Sequence, residues 1–147
     1  MAFISFTKAS DHAAPDELRI NAMAVLYVEA SRPDLIGRTM IHMLGQGSIV
    51  NAVAESVGTV ISAIFSERCG LVACTRHYLA APPHDGASTV YVLPANVSFL
   101  RPNLQATPDF WMLTFVDGSE LWVADPLPQG LYPLRSQGTE FRLSTVG

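Results

Sequence analysis

Residues 110–124 read Phe110-Trp111-Met112-Leu113-Thr114-Phe115-Val116, then Asp117-Gly118, then Ser119-Glu120-Leu121-Trp122-Val123-Ala124. Two runs rich in aromatic and β-branched residues flank an Asp-Gly pair, the strongest short-range signal for a β-hairpin. Alternation sets Phe110, Met112, Thr114 and Val116 on one face and Trp111, Leu113 and Phe115 on the other. Both faces are mostly apolar, so both need cover, from the same chain or from another subunit. Met40, Ile41, Met43 and Leu44 repeat this two-sided character ahead of Gly45-Gln46-Gly47, where glycines permit a second hairpin before Ser48–Asn51. On this reading Phe110, Trp111, Phe115, Trp122, Met40 and Met43 are the candidate interaction residues.

Working outward, Phe3–Thr7, Glu17–Ile20, Ala24–Glu29, Leu71–Thr75, Ser88–Leu93, Asn96–Leu100 and Thr139–Thr145 also read as strands. Asn21-Ala22 marks a bend, and Arg32-Pro33-Asp34, Arg101-Pro102-Asn103 and Thr107-Pro108-Asp109 read as turns. One segment changes period. In residues 52–66, Val53, Val57, Val60, Ile61 and Ile64 share a helical face, which predicts an amphipathic helix with Asn51 as N-cap and Glu55 in its first turn. Gly70 is its expected stop. Pro126, Pro128 and Pro133 exclude a long helix after the second hairpin. The expected fold is therefore α+β and β-rich.

The order of elements suggests one plan written twice. At an offset of 72, Ile20 meets Val92, Val25 meets Val97, Met40 meets Met112, Met43 meets Phe115 and Ala52 meets Ala124, with no gap over residues 20–52. Upstream, Phe3–Lys8 meets Leu71–Arg76 at an offset of 68. The difference falls in the first loop, where insertions are tolerated. This predicts two related antiparallel β-meanders, residues 1–68 with the helix and 69–147 with a Pro-rich end, packed as one body.

The first copy resembles the small FlbD-like family linked to bacterial flagellar regulation. The matching positions are Phe6-Thr7, Asn21-Ala22, Val28-Glu29, Gly45 or Gly47, and Val53-Ala54-Glu55-Ser56, within residues 3–65. The resemblance implies a short β-domain and a regulatory adaptor that acts on a protein partner. In order of elements the chain also resembles the LytTR DNA-binding domain, where a basic segment contacts DNA. Here Arg76 and His77 stand nearly alone.

The 147 residues carry a net charge of −4, only 15% are charged, and Lys8 is the single lysine. That excludes intrinsic disorder and a basic nucleic-acid binder, because phosphate contacts dominate such affinity. So few charges cover a folded surface poorly, which points to self-association or a protein partner. Cys69, Cys74, His77 and His84 have the right atoms for zinc but no standard spacing, and they read as buried thiols and loop histidines. Asp11, His12, Asp16, His84 and Asp85 read as polar loop residues. No nucleophile elbow, P-loop or dinucleotide fingerprint is present. The expectation is a cytoplasmic, non-catalytic binding or assembly protein with no cofactor, no metal and no membrane segment. A structural subunit of a phage particle or other large assembly is the alternative. A small-ligand binder or enzyme in the cleft between the copies is the third reading.

Overall fold

The fold follows from ten strands and one helix, seen in a computed structural model that describes residues 3–9, 16–30, 38–46, 51–76, 89–103, 110–124 and 127–131. The strands are β1 (Phe3–Lys8), β2 (Asp16–Asn21), β3 (Val25–Ala30), β4 (Thr39–Met43), β5 (Asn51–Val53), β6 (Val72–Thr75), β7 (Thr89–Val92), β8 (Val97–Asn103), β9 (Phe110–Phe115) and β10 (Glu120–Ala124); helix α1 spans Val57–Ser66. Short 3₁₀ turns at Ala22–Ala24, Pro94–Asn96 and Gln129–Leu131 complete the order. All strand pairs are antiparallel. A seven-stranded sheet runs β2-β1-β5-β4-β3-β7-β6, and a three-stranded sheet runs β10-β9-β8. An isolated bridge from Arg76 to Val123 links β6 to β10. The fold is β-rich and antiparallel, as expected. The boundary expected between residues 68 and 69 falls between α1 and β6, and β6 and β7 join the sheet of the first five strands.

The two sets of five strands pair alike. Ile4 faces Ile20 and Val72 faces Val92, steps of 68 and 72 as read from the sequence. Tyr27 faces His42 and Phe99 faces Thr114, both just after a register shift at Val25 and at Val97. Thr39 faces Val53, and Trp111 faces Val123. This last pair makes β10 lie two residues earlier than the ungapped offset requires, so Ala52 corresponds to Trp122 and not to Ala124.

Each set has its own core. One gathers Phe6, Ile20, Val25, Val28, Ile41 and Val53 under Val60 and Ile64 of α1. The other gathers Cys74, Val90, Val92, Leu113, Phe115, Leu121 and Val123 under Leu127 and Leu131. The 3₁₀ turn at 129–131 stands where the first set has its helix. Gly130 allows this, since a Cβ there would lie 2.6 Å from Val72 Cγ2. β3 serves both cores: Val28 faces the first and Tyr27 the second, and Val25 to Glu29 are all buried.

The helix begins later than its period suggests. Asn51–Val53 pairs with β4, so Val53 is a strand residue that packs beneath the helix face. The N-cap is Ser56, whose Oγ accepts from Thr59 N–H. Glu55 precedes the cap and accepts the Thr7 N–H at 3.0 and 2.9 Å. At the other end the left-handed residue is Arg68 (φ 65), not Gly70. Arg68 N–H donates to Phe65 and Cys69 N–H to Ile64, a Schellman closure with buried Cys69 and Ile64 in one core. A side chain at that φ is strained. Arg68→Gly is expected to stabilise the chain by about 1 kcal/mol, read as a higher urea midpoint at unchanged slope. A midpoint that stays put would show that the arginine side chain offsets its own strain.

Arg101-Pro102-Asn103 is strand, not turn. Phe115 N–H donates to Ser119 C=O, so Phe115, Leu113 and Trp111 aim main-chain groups at β10, while Thr114, Met112 and Phe110 aim theirs at β8. Pro102 lies opposite Trp111 and therefore points its missing N–H away from β9, the one side on which proline is tolerated. The Asp-Gly hairpin forms as expected, with Gly118 at φ 89.

Candidate functional site

The apolar strand β3 carries one acid, Glu29, next to its last residue. Its register partners are Met40 on β4 and Val90 on β7, which leaves the carboxylate buried at the join between the two strand sets. A buried carboxylate needs strong partners. His42 Nε2 lies 2.8 Å from Oε2, and Arg76 Nη1 donates at 2.7 Å to Oε1 and 2.9 Å to Oε2. His42 comes from β4, and Arg76 follows β6, so one side chain ties three strands together. Burial pushes the Glu29 carboxyl up, but the His42 hydrogen bond and the Arg76 charge outweigh it and hold the group below the usual range. The His42 ring stacks on Tyr27 at 4.0 Å, and Tyr27 stacks on Phe115 at 5.8 Å. A column of rings thus runs from the second core to the carboxylate. With Arg76 on both oxygens and His42 on one, Glu29 fastens β3 to β4 and to the end of β6.

A second join lies at one end of the sheets. Gly45 N–H donates to Asp117 Oδ2 at 2.8 Å, so the two hairpins touch. Ser119 Oγ donates to the other oxygen, and this bond above all holds the Asp117 carboxyl low. Asn96 Nδ2 donates to the carbonyls of Met23 and Val25, and Leu93 N–H to that of Leu26. Leu44 N–H reaches Ala24, and Val116 N–H reaches Asn96, at 2.8 and 2.9 Å. Around this join the apolar side chains face outward: Met23 is 66% exposed, Val116 54% and Leu44 39%. Phe99, three residues from Asn96, is 51% exposed.

Of the six residues expected to form a contact surface, Phe110, Phe115 and Met40 are buried within the chain and are core residues. Phe115 joins the second core and Phe110 packs on Trp122, which alternation alone could not reveal. Trp111 and Met43 are half-buried against the two cores. Trp122 is half-buried, its ring 5.2 Å from Phe110. Those three keep part of their surface. The sequence marks Glu29 and Arg76 only in separate patterns and His42 not at all, because nothing local says that positions 29, 42 and 76 converge. The only signal is a lone acid in an apolar strand. Cys69 and Cys74 are buried and unpaired, and burial pushes the Cys74 thiol up to about 11. Asp11, His12, His77, His84, Asp85, the Arg32-Pro33-Asp34 and Thr107-Pro108-Asp109 turns and the strand expected at Thr139–Thr145 lie outside the described residues. Among the described residues no helix is long and apolar enough to cross a membrane.

No protein family, curated protein or solved structure matches the chain.

Proposed function

We propose that the chain is a non-catalytic binding and assembly protein that self-associates through β-surfaces, built as a tandem of two related units. The observation that carries this reading is the gathering of Met23, Leu44, Phe99 and Val116, all exposed, around the join of the two strand sets. Several exposed apolar side chains on a chain with few charges mark a contact site. The tandem reading is supported by the matched registers and by the two separate cores. The FlbD-like reading of the first unit rests on the sequence positions alone, whose work in this fold is structural. Asn21 accepts from Met23 N–H, Glu55 holds Thr7, and Ser56 caps α1. These jobs leave the regulatory adaptor role to experiment.

Light scattering at micromolar concentration tests the reading, with a mass at a multiple of 15.9 kDa as the expected outcome. A monodisperse single chain overturns it. Subunits of a large particle are the second reading, favoured by the 15% charge. Mass that keeps growing with concentration selects it over a closed oligomer.

A further inference from the structure

The strand order leaves one seam unmade. Written through the Arg76–Val123 bridge, it runs β2-β1-β5-β4-β3-β7-β6-β10-β9-β8. The β3–β7 pair joins the two sets once. The matching second join would be β8 with β2, and among the described residues no ladder connects them. The 3₁₀ turns that flank the two strands meet, where Asn96 donates to the carbonyls of Met23 and of Val25 at the start of β3. Among the described residues neither strand has a ladder on its outer edge. The contrast with the closed seam is large. Tyr27, paired with Val92, is 9% exposed, whereas its counterpart Phe99 is 51% exposed. Phe3, next to this edge opposite Asn21, is exposed too.

The two edges also complement each other in charge. β2 presents exposed Asp16 and Glu17 beside exposed Arg19, which pairs with Glu17 and leaves the strand net negative, and β8 presents exposed Arg101. Carried onto the open edges, the β3–β7 register sets Phe99 opposite Ile20, Leu100 opposite Arg19 and Arg101 opposite Leu18. Arg101 then lies diagonal to Asp16 on one face, within reach of a long side chain. Lys8 already faces Asp16 within β1–β2, so the acid sits between two cations. The alternation that turns Pro102 outward turns Leu100 outward as well, leaving its N–H and carbonyl for a new ladder. Pro102 supplies only its carbonyl, which limits the edge to a short, defined pairing.

We infer that β8 of one chain pairs with β2 of a second copy, and β2 with that copy's β8, making a two-fold dimer in which each seam repeats the β3–β7 join. The inference rests on the self-association proposed above. A two-fold contact needs a surface that complements itself, and these two edges meet that need in strand direction, apolar rim and charge.

The test is mass in solution for the whole chain, for Arg101→Glu, for Asp16→Lys with Glu17→Lys, and for an equal mixture of the two variants. All three positions are exposed, but Asp16 faces Lys8 and Glu17 holds Ser5 and Arg19, so circular dichroism first establishes that each variant keeps the native fold. The expected result is a dimer for the native chain, roughly tenfold or more weaker association for each variant alone, and recovery of the dimer in the mixture, where each reversed edge meets its reversed partner. A native dimer that ignores both variants overturns the inference and moves the contact to another face, such as the exposed Phe65 side of α1. A native chain that stays single overturns the self-association reading itself.

Discussion

Glu29→Ala is expected to destabilise the chain by about 3 kcal/mol, because it leaves the Arg76 cation and His42 at a buried site without their common acceptor. Urea unfolding measures this directly, and a loss below about 1 kcal/mol would mean that solvent screens the cluster. Replacing both ends with apolar residues, Glu29→Leu with Arg76→Met, should cost less than the single change, since no charge is then stranded. The pH dependence has a definite sign. The folded chain holds Glu29 below its unfolded value, so the folded state binds fewer protons in the acid range. The stabilisation is complete above the unfolded carboxylate value, about 4.3, and is lost as pH falls through the lower folded value. Glu29→Ala should therefore flatten the acid side of the stability profile. Glu17 and Asp117, also held low, remain in both proteins and cancel in the difference.

Phe115→Ala is expected to cost about 4 kcal/mol. The ring is almost wholly buried among Leu113, Leu121 and Val123 and stacks on Tyr27, so truncation loses its burial and leaves a void under β3. The same change at Phe65, exposed on α1, should stay within about 0.5 kcal/mol. Because the ring column reaches His42, Phe115→Ala and Glu29→Ala should couple by more than about 0.5 kcal/mol. Strict additivity would show that the column transmits nothing.

What the sequence made legible was whatever short-range chemistry decides. The Asp117-Gly118 hairpin, the bend at Asn21, and the offsets of 68 and 72 at Ile4–Ile20 and Val72–Val92 all follow from turn residues and alternation. The helix start is not legible locally, because Val53 satisfies both periods and pairing with Thr39 decides for strand. Pro102 reads as a turn residue until β9 shows which side its nitrogen faces. The site was the least legible part. Phe110 and Phe115 look like contact residues in a strand with two apolar faces, yet the chain itself covers both. Glu29, His42 and Arg76 meet only because β3 lies between β4 and β7, a fact of topology and not of spacing.

The central place of β3 also bears on how the chain is made. Its apolar residues need β4 on one edge and β7 on the other, and Tyr27 needs a core whose strands end near residue 124. During synthesis from the N-terminus, β3 emerges more than sixty residues before β7 can cover it, counting from Val25 to Thr89. Until then Leu26 and Tyr27 line an open, aggregation-prone edge. The first half can condense around α1 early, but it has to wait for the second half before its own central strand is safe.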